Sequence, residues 1–201
     1  FLPSIARHCD DPSKVRYFPS WAEDVFQNQV VEAMKETPPA PGTLSILFAG
    51  NMGDAQDFPA ILDAAERLKY RDDVRWMIVG DGRRSTWVAE QVQARGLQRK
   101  VLLLGRFPVE RMPVFYAKAD ALLVSLKKDP TFSMTIPGKV QSYLVAGRPI
   151  IGMLDGEGAD VIKQAGAGMV CPAGDSAALA EAIQRFARSE ERRVGKECLR
   201  L

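Results

Sequence analysis

Between Thr135 and Gly152 the chain reads TIPGKVQSYLVAGRPIIG. A proline, a glycine and a lysine stand directly before a short apolar helical pattern, and a Gly-Arg-Pro turn closes it. Pro137 suits a first helical turn, where its missing N–H costs nothing. The amides of Gly138 and Lys139 then head the helix, with the hydroxyls of Ser133 and Thr135 beside them. A lysine here opposes the positive end of the helix dipole. A bound anion would relieve that conflict and use the amides and the ammonium together. The competing reading is a solvated surface lysine. Ser142 shares a helix face with Lys139 at i, i+3, while Val140 and Leu144 face the core.

Three other loops carry residues of the same kind. GNMGDAQ, Gly50 to Gln56, has two glycines opening a helix. The backbone of Gly50, Asn51, Met52 and Gly53 could approach a diphosphate there. The spacing is not that of the Gly-x-Gly-x-x-Gly dinucleotide loop, so a tight strand-to-helix turn explains it equally well. GDGRRS, Gly80 to Ser85, has the look of a phosphate loop, with two arginines that solvent would also accept. GRFP, Gly105 to Pro108, sends Arg106 and Phe107 out of a buried strand together. Such a pair can wall a base pocket; the alternative is an exposed arginine next to a core phenylalanine.

These loops need a frame that brings them together, and the hydrophobic pattern supplies it. Apolar runs at 43–50, 74–82, 101–105, 121–125, 148–153 and 167–172 read as strands. Helical patterns separate most of them. Asp57–Tyr70 carries Phe58, Ile61, Leu62, Ala65 and Leu68 on one stripe. Ser85–Leu97, with Ser85 as N-cap, Val109–Asp120, Glu157–Gly166 and Asp175–Arg188 complete the set. The expected fold is α/β: a Rossmann-like, doubly wound parallel sheet of about six strands. In such a sheet, ligands bind beyond the carboxyl ends of the strands, where all four loops fall. Ser13–Phe26 is expected to hold one short strand, and Lys35–Thr43 to be a Pro-rich linker.

The whole chain narrows the function classes. Its 201 residues are 46% hydrophobic and 26% charged, with a formal charge of +2. That balance gives no general attraction to nucleic acid or to a membrane surface, so an anion site must be local. Three cysteines without a Cys-x-x-Cys pair, and a single histidine, argue against a disulfide framework or a zinc site. A reducing, cytoplasmic setting is expected. No apolar run approaches the ~20 residues of a membrane helix. The chain starts at Phe1, and SEERRVGKEC, Ser189 to Cys198, reads like a translated sequencing adapter. Three parts are therefore expected: 1–14 from an upstream domain, 15–188 as the folded unit, and 189–201 as a non-native tail.

LFAGNMGDAQDFPAILDAA, MIVGDG, LLGRFPVERMPVFYAKADALLVSL and IPGKVQSYLVAGRPIIG occur in that order. In order and spacing they resemble the C-terminal, nucleotide-binding domain of family 4 glycosyltransferases of the GT-B type. The wording is most similar to the bacterial O-antigen, capsule and exopolysaccharide subgroup, including L-fucosamine transferases. The resemblance covers about residues 17–186. YFPSWAEDVF resembles the family's interdomain link, so 1–14 would end a missing acceptor-side domain.

The resemblance implies retaining transfer of a sugar from a UDP- or GDP-sugar to a growing glycan or lipid-linked saccharide. It implies no cofactor and no metal, since no Asp-x-Asp is present. It assigns the diphosphate to Gly138, Lys139, Ser133 and Thr135, with Gly50, Asn51, Met52 and Gly53 alongside, and the base to Arg106 and Phe107. The family's paired glutamates are replaced by Met134 and Ser142. Ser142, helped by Gln141, would be a weaker ribose contact. A non-catalytic nucleotide-sugar-binding subunit and a GT-B epimerase are the alternatives.

Overall fold

The computed structural model describes residues 2–16, 18, 20–26 and 42–189. The segments expected as a Pro-rich linker and as an adapter tail lie, except for a few edge residues, outside these. The described chain opens with helix α1 (Leu2–Arg7) and two 3-10 turns, Pro12–Lys14 and Asp24–Phe26. No strand occurs among the described residues of 13–26, contrary to expectation. Asp11 caps the first turn by accepting from Ser13 N at 3.1 Å, which favours a turn over extension. Phe26 stacks on Tyr116 at 5.7 Å.

From Leu44 onward strands and helices alternate. β1 (Leu44–Ala49) leads to α2 (Phe58–Arg67), β2 (Val74–Val79), α3 (Ser85–Ala94) and β3 (Val101–Gly105). After a 3-10 turn, α4 (Met112–Lys118) leads to β4 (Ala121–Ser125), then α5 (Pro130–Ser133) and α6 (Gly138–Val145). β5 (Ile150–Met153), α7 (Glu157–Gln164), β6 (Gly168–Cys171) and α8 (Ser176–Arg188) complete the unit. All six strands are parallel, in the order β3-β2-β1-β4-β5-β6. The expected fold is what the structure shows. Strand order reverses between β1 and β4, which opens a crevice above their carboxyl ends.

Alternation along β1 divides the core. Leu44, Ile46 and Phe48 face α2, α3 and α8, whereas Leu47 and Ala49 face α4, α6 and α7. All six β1 residues are buried, as a central parallel strand requires. Two local details differ from expectation. Ser85 lies inside α3 and the cap position is Arg84. Pro137 is the cap of α6 and Gly138 its first residue. Pro113 does not break α4, because it falls in the first turn.

Candidate functional site

The loops after β1, β2 and β3 close on one another by backbone hydrogen bonds that continue the sheet. Gly50 N donates to Val79 O at 2.9 Å, and Gly80 N to Gly105 O at 2.8 Å. Met52 N donates to Asp81 O at 2.8 Å, and Met52 O accepts from Arg84 N at 2.9 Å. Contact is so close that side chains are excluded. A Cβ on Gly80 would fall 1.8 Å from Gly50 O; one on Gly82 would fall 2.6 Å from Met52 O. Both glycines also hold positive φ, at 138° and 156°.

This rim surrounds a cleft of about 440 Å³, within the range of small-molecule sites. Gly50 and Asn51 form one wall, Gly80–Gly82 a second, and Arg106, Phe107 and Met112 a third. Phe107 is half-buried and braced by Phe115 at 4.8 Å. Asp81 is the acid of the rim. Ser85, the Gly82 amide and the Arg106 guanidinium hold its carboxyl below the usual carboxylate range.

The second component comes from α6, on the β4 side of the crevice. No side chain caps this helix, so its first amides have no side-chain acceptor. Its Tyr143 is fully buried; the phenol accepts from Ala49 N at 3.0 Å and donates to Ala49 O at 3.3 Å, tying α6 to the end of β1. Ser125 Oγ donates to Gln56 O at 2.7 Å, and Lys127 N to Ala55 O at 2.8 Å. These bonds pin the β1–α2 loop across the switch point.

Lys139 reaches into this junction. Its Nζ is buried, lies 3.7 Å from the Phe48 ring centroid and has no hydrogen-bond partner. A Cβ on Gly50 would lie 3.3 Å from that nitrogen, so the ammonium abuts a residue of the cleft wall. Burial pulls its pKa from 10.5 down to about 7. An ammonium in this position lacks what an anion would supply.

The family model of the glycosyl transferases group 1 matches residues 43–189. The chain belongs to that family.

Among its relatives is a protein named as a colanic acid biosynthesis glycosyl transferase, WcaI of Escherichia coli K12. It is 28% identical over 141 residues, covering 66% of this chain and 33% of the relative. The chain spans about a third of the length of the curated relatives it matches. A glycosyltransferase from Rickettsia africae superposes with a TM-score of 0.67 at 17% identity, over 92% of this chain and 52% of that one. HepE of Anabaena, solved with UDP and glucose, gives 0.62 at 19% identity, over 75% and 40%. These structures share the GT-B glycosyltransferase fold.

Within this group 1 domain the sequence-selected residues divide. Gly50, Asn51, Arg106 and Phe107 meet in the cleft. Met52 does not reach it: the side chain is buried in the α2/α3/α8 core, and both its backbone groups are bonded. Gly53 lines a separate hollow of about 90 Å³ and donates its N–H to Gln56 Oε1 at 3.0 Å. Gly138 heads α6 and Ser142 is buried one turn after Lys139. The hydroxyls of Ser133 and Thr135 donate to Pro130 O and Thr131 O, each at 2.8 Å. Both hydroxyl protons are thus engaged with the backbone of their own segment.

Lys139 itself is no surface lysine. Sequence reading set it at the helix mouth but missed that its nitrogen turns inward. Arg84 pairs with Asp54 at 2.7 Å and lies 5.1 Å from the Trp87 ring centroid, which accounts for one arginine of GDGRRS. Gly80, Asp81, Gly82 and Met112 were not among the selected site residues. The position of Gly80–Gly82 at the end of β2 was the signal for three of them. Among the described residues no cluster of His, Cys, Asp or Glu could hold a metal, and no helix is long and apolar enough to cross a membrane.

Proposed function

We propose that this domain is the donor-binding half of a retaining family 4 glycosyltransferase. It would transfer a hexose-type sugar from a UDP- or GDP-sugar to a growing glycan or lipid-linked saccharide in surface polysaccharide synthesis. Residues 15–188 form the nucleotide-sugar unit, 1–14 belong to the acceptor domain, and 189–201 are foreign to it. The single observation that carries this reading is Lys139 Nζ, buried and unpartnered against Gly50 at the edge of the cleft.

In this reading the base and ribose occupy the cleft between Asn51, Arg106 and Phe107. In it the diphosphate bridges Gly50 and the start of α6 and draws on the Gly138 and Lys139 amides together with the ammonium. Ser142 is the ribose-side residue of α6. Fixed donors at that point stabilise the charge that grows on a departing nucleoside diphosphate. WcaI, named for colanic acid biosynthesis, and HepE, solved with UDP and glucose, support the substrate class.

Calorimetric titration with UDP and GDP tests the reading. Lys139→Met is expected to weaken binding of the preferred nucleotide by about 1.5–3 kcal/mol, the range for a charge-assisted hydrogen bond. Equal affinity in wild type and variant would overturn it. Sugar transfer by the full-length gene product separates a transferase from a binding subunit, and product stereochemistry reports retention.

A further inference from the structure

Phe48, on β1, is fully buried and packs edge-on against Phe58, with centroids 5.0 Å apart. That contact belongs to an ordinary core. Its meeting with Lys139 does not. Lys139 lies on α6, across the sheet from Phe58, yet its Nζ sits 3.7 Å from the Phe48 centroid without a hydrogen-bond acceptor. Two residues along the strand, Gly50 has no side chain to crowd this nitrogen, and Gly50 lines the cleft. The ammonium is thus bounded by an aromatic face and by the backbone of a cleft residue.

We infer that Phe48 is a positioning residue whose ring face holds the Lys139 ammonium against the cleft wall, ready for an incoming diphosphate. The inference rests on the nucleotide diphosphate site proposed above. Its physical basis is the difference between a ring and a carboxylate as companion to a cation. A ring attracts the charge through its quadrupole, most strongly when water is excluded. It does not neutralise that charge or occupy the directed N–H donors an oxygen acceptor would take. A carboxylate at the same place would compete with the ligand. A leucine would fill the space and offer no face.

The inference predicts a pH signature. Burial holds the free ammonium near pKa 7, and diphosphate binding favours the charged form. The charged groups on the loops after β1, β2, β4 and β5 are Asp54, paired with Arg84; Asp57 and Arg83; Asp81, hydrogen-bonded to Gly82 N; Lys127, Lys128 and Asp129; and Asp155 with Glu157 at the start of α7; Arg106 follows β3. None is hydrogen-bonded to Lys139 Nζ.

A double-mutant cycle read by calorimetric titration with UDP tests the inference, from about pH 6 to about pH 9, bracketing the lysine midpoint. Phe48→Leu is expected to weaken UDP binding about tenfold near pH 7, within the span of a desolvated cation–π contact. In a Lys139→Met background the same change should alter affinity by less than about twofold. In wild type, affinity should fall as pH rises past the lysine midpoint. In Phe48→Leu that fall should begin at lower pH, because the charged form has lost a stabilising neighbour. Phe58→Leu loosens the same packing but leaves the Phe48 face intact, so it should leave affinity within about twofold. Phe48→Met also fills the space without a ring and serves where leucine disturbs the fold.

Equal weakening by Phe48→Leu in both backgrounds, with an unmoved pH midpoint, would show a purely structural residue and overturn the inference. Tighter UDP binding by Phe48→Leu would also overturn it, because the ring would then be competing with the ligand. A Lys139→Met effect without coupling to Phe48 removes this inference alone. Unchanged UDP binding by Lys139→Met removes the diphosphate reading as well.

Discussion

Two lysines are drawn into this domain, one at each rim of the sheet, and they are served differently. At the amino end, Lys100 is 8% exposed. Its Nζ donates to Arg71 O at 2.7 Å and to Asp72 Oδ1 at 2.6 Å, next to the Arg71–Asp73 pair. At the carboxyl end, Lys139 Nζ is buried with no hydrogen bond and only a ring face for company. A buried ammonium whose donors the chain already satisfies belongs to the architecture. One left unsatisfied is tolerated at a cost, and that cost is recovered when an anion arrives.

The widest separation between the two lysines is expected in ligand-linked stability. UDP at about 100 times its Kd should stabilise wild type by about 2.7 kcal/mol. Thermal melts of Lys100→Met should show the same increment. Those of Lys139→Met, at the same UDP concentration, should show about half of it or less. An equal response from all three proteins would erase the distinction.

The pH dependence of the ligand-free protein comes next. Lys139 titrates near 7 when folded and near 10.5 when unfolded, so between these values the unfolded chain binds more protons. Stability should therefore rise with pH across this window, by up to roughly 2–3 kcal/mol from about pH 7 to about pH 9. Below pH 7 the cost of the buried charge is felt in full. Denaturant titrations of wild type and Lys139→Met over that range isolate the slope, which the variant should lack. Lys100→Met should keep it.

A smaller effect tests the other rim. Lys100→Met should lower stability near neutral pH by about 1–2 kcal/mol, because it removes the charged donor to Arg71 O. Lys139→Met should leave stability equal or higher there, since it removes an unpaired buried charge. The smallest effect is expected from Lys163→Ala, on α7, where an exposed lysine lies 3.7 Å from Asp160. Stability should stay within about 0.5 kcal/mol, and UDP affinity should match wild type.

The sheet was legible because a buried parallel strand carries an uninterrupted apolar run. LSILFA and ALLVS are buried along their whole length. Loop order then follows from strand order, so Gly50, Asn51, Arg106 and Phe107 meet in one cleft. What escaped depended on contacts distant in sequence or on local competition for hydrogen bonds. The inward turn of Lys139 is set by Phe48, 91 residues earlier, which periodicity within α6 does not encode. Ser133 and Thr135 carry the right groups for an anion, but nearby carbonyls of α5 reach them first. Met52 stands among glycines in the sequence, but its long apolar side chain is drawn to the core. The segment before Phe26 misled because its β-prone residues sit among turn formers, and Asp11 with Pro12 settles the start of it as a turn.

The glycine rim restricts how this cleft can evolve. No side chain fits at Gly80 or Gly82 without displacing the backbone of the neighbouring loop. Variation there disturbs the scaffold before it alters what the cleft accepts. Asn51, Val79, Asp81, Arg106, Phe107 and Met112 carry side chains at the same cavity. A lineage changing its ligand would therefore leave its record at these six positions, while the glycines between them stay silent.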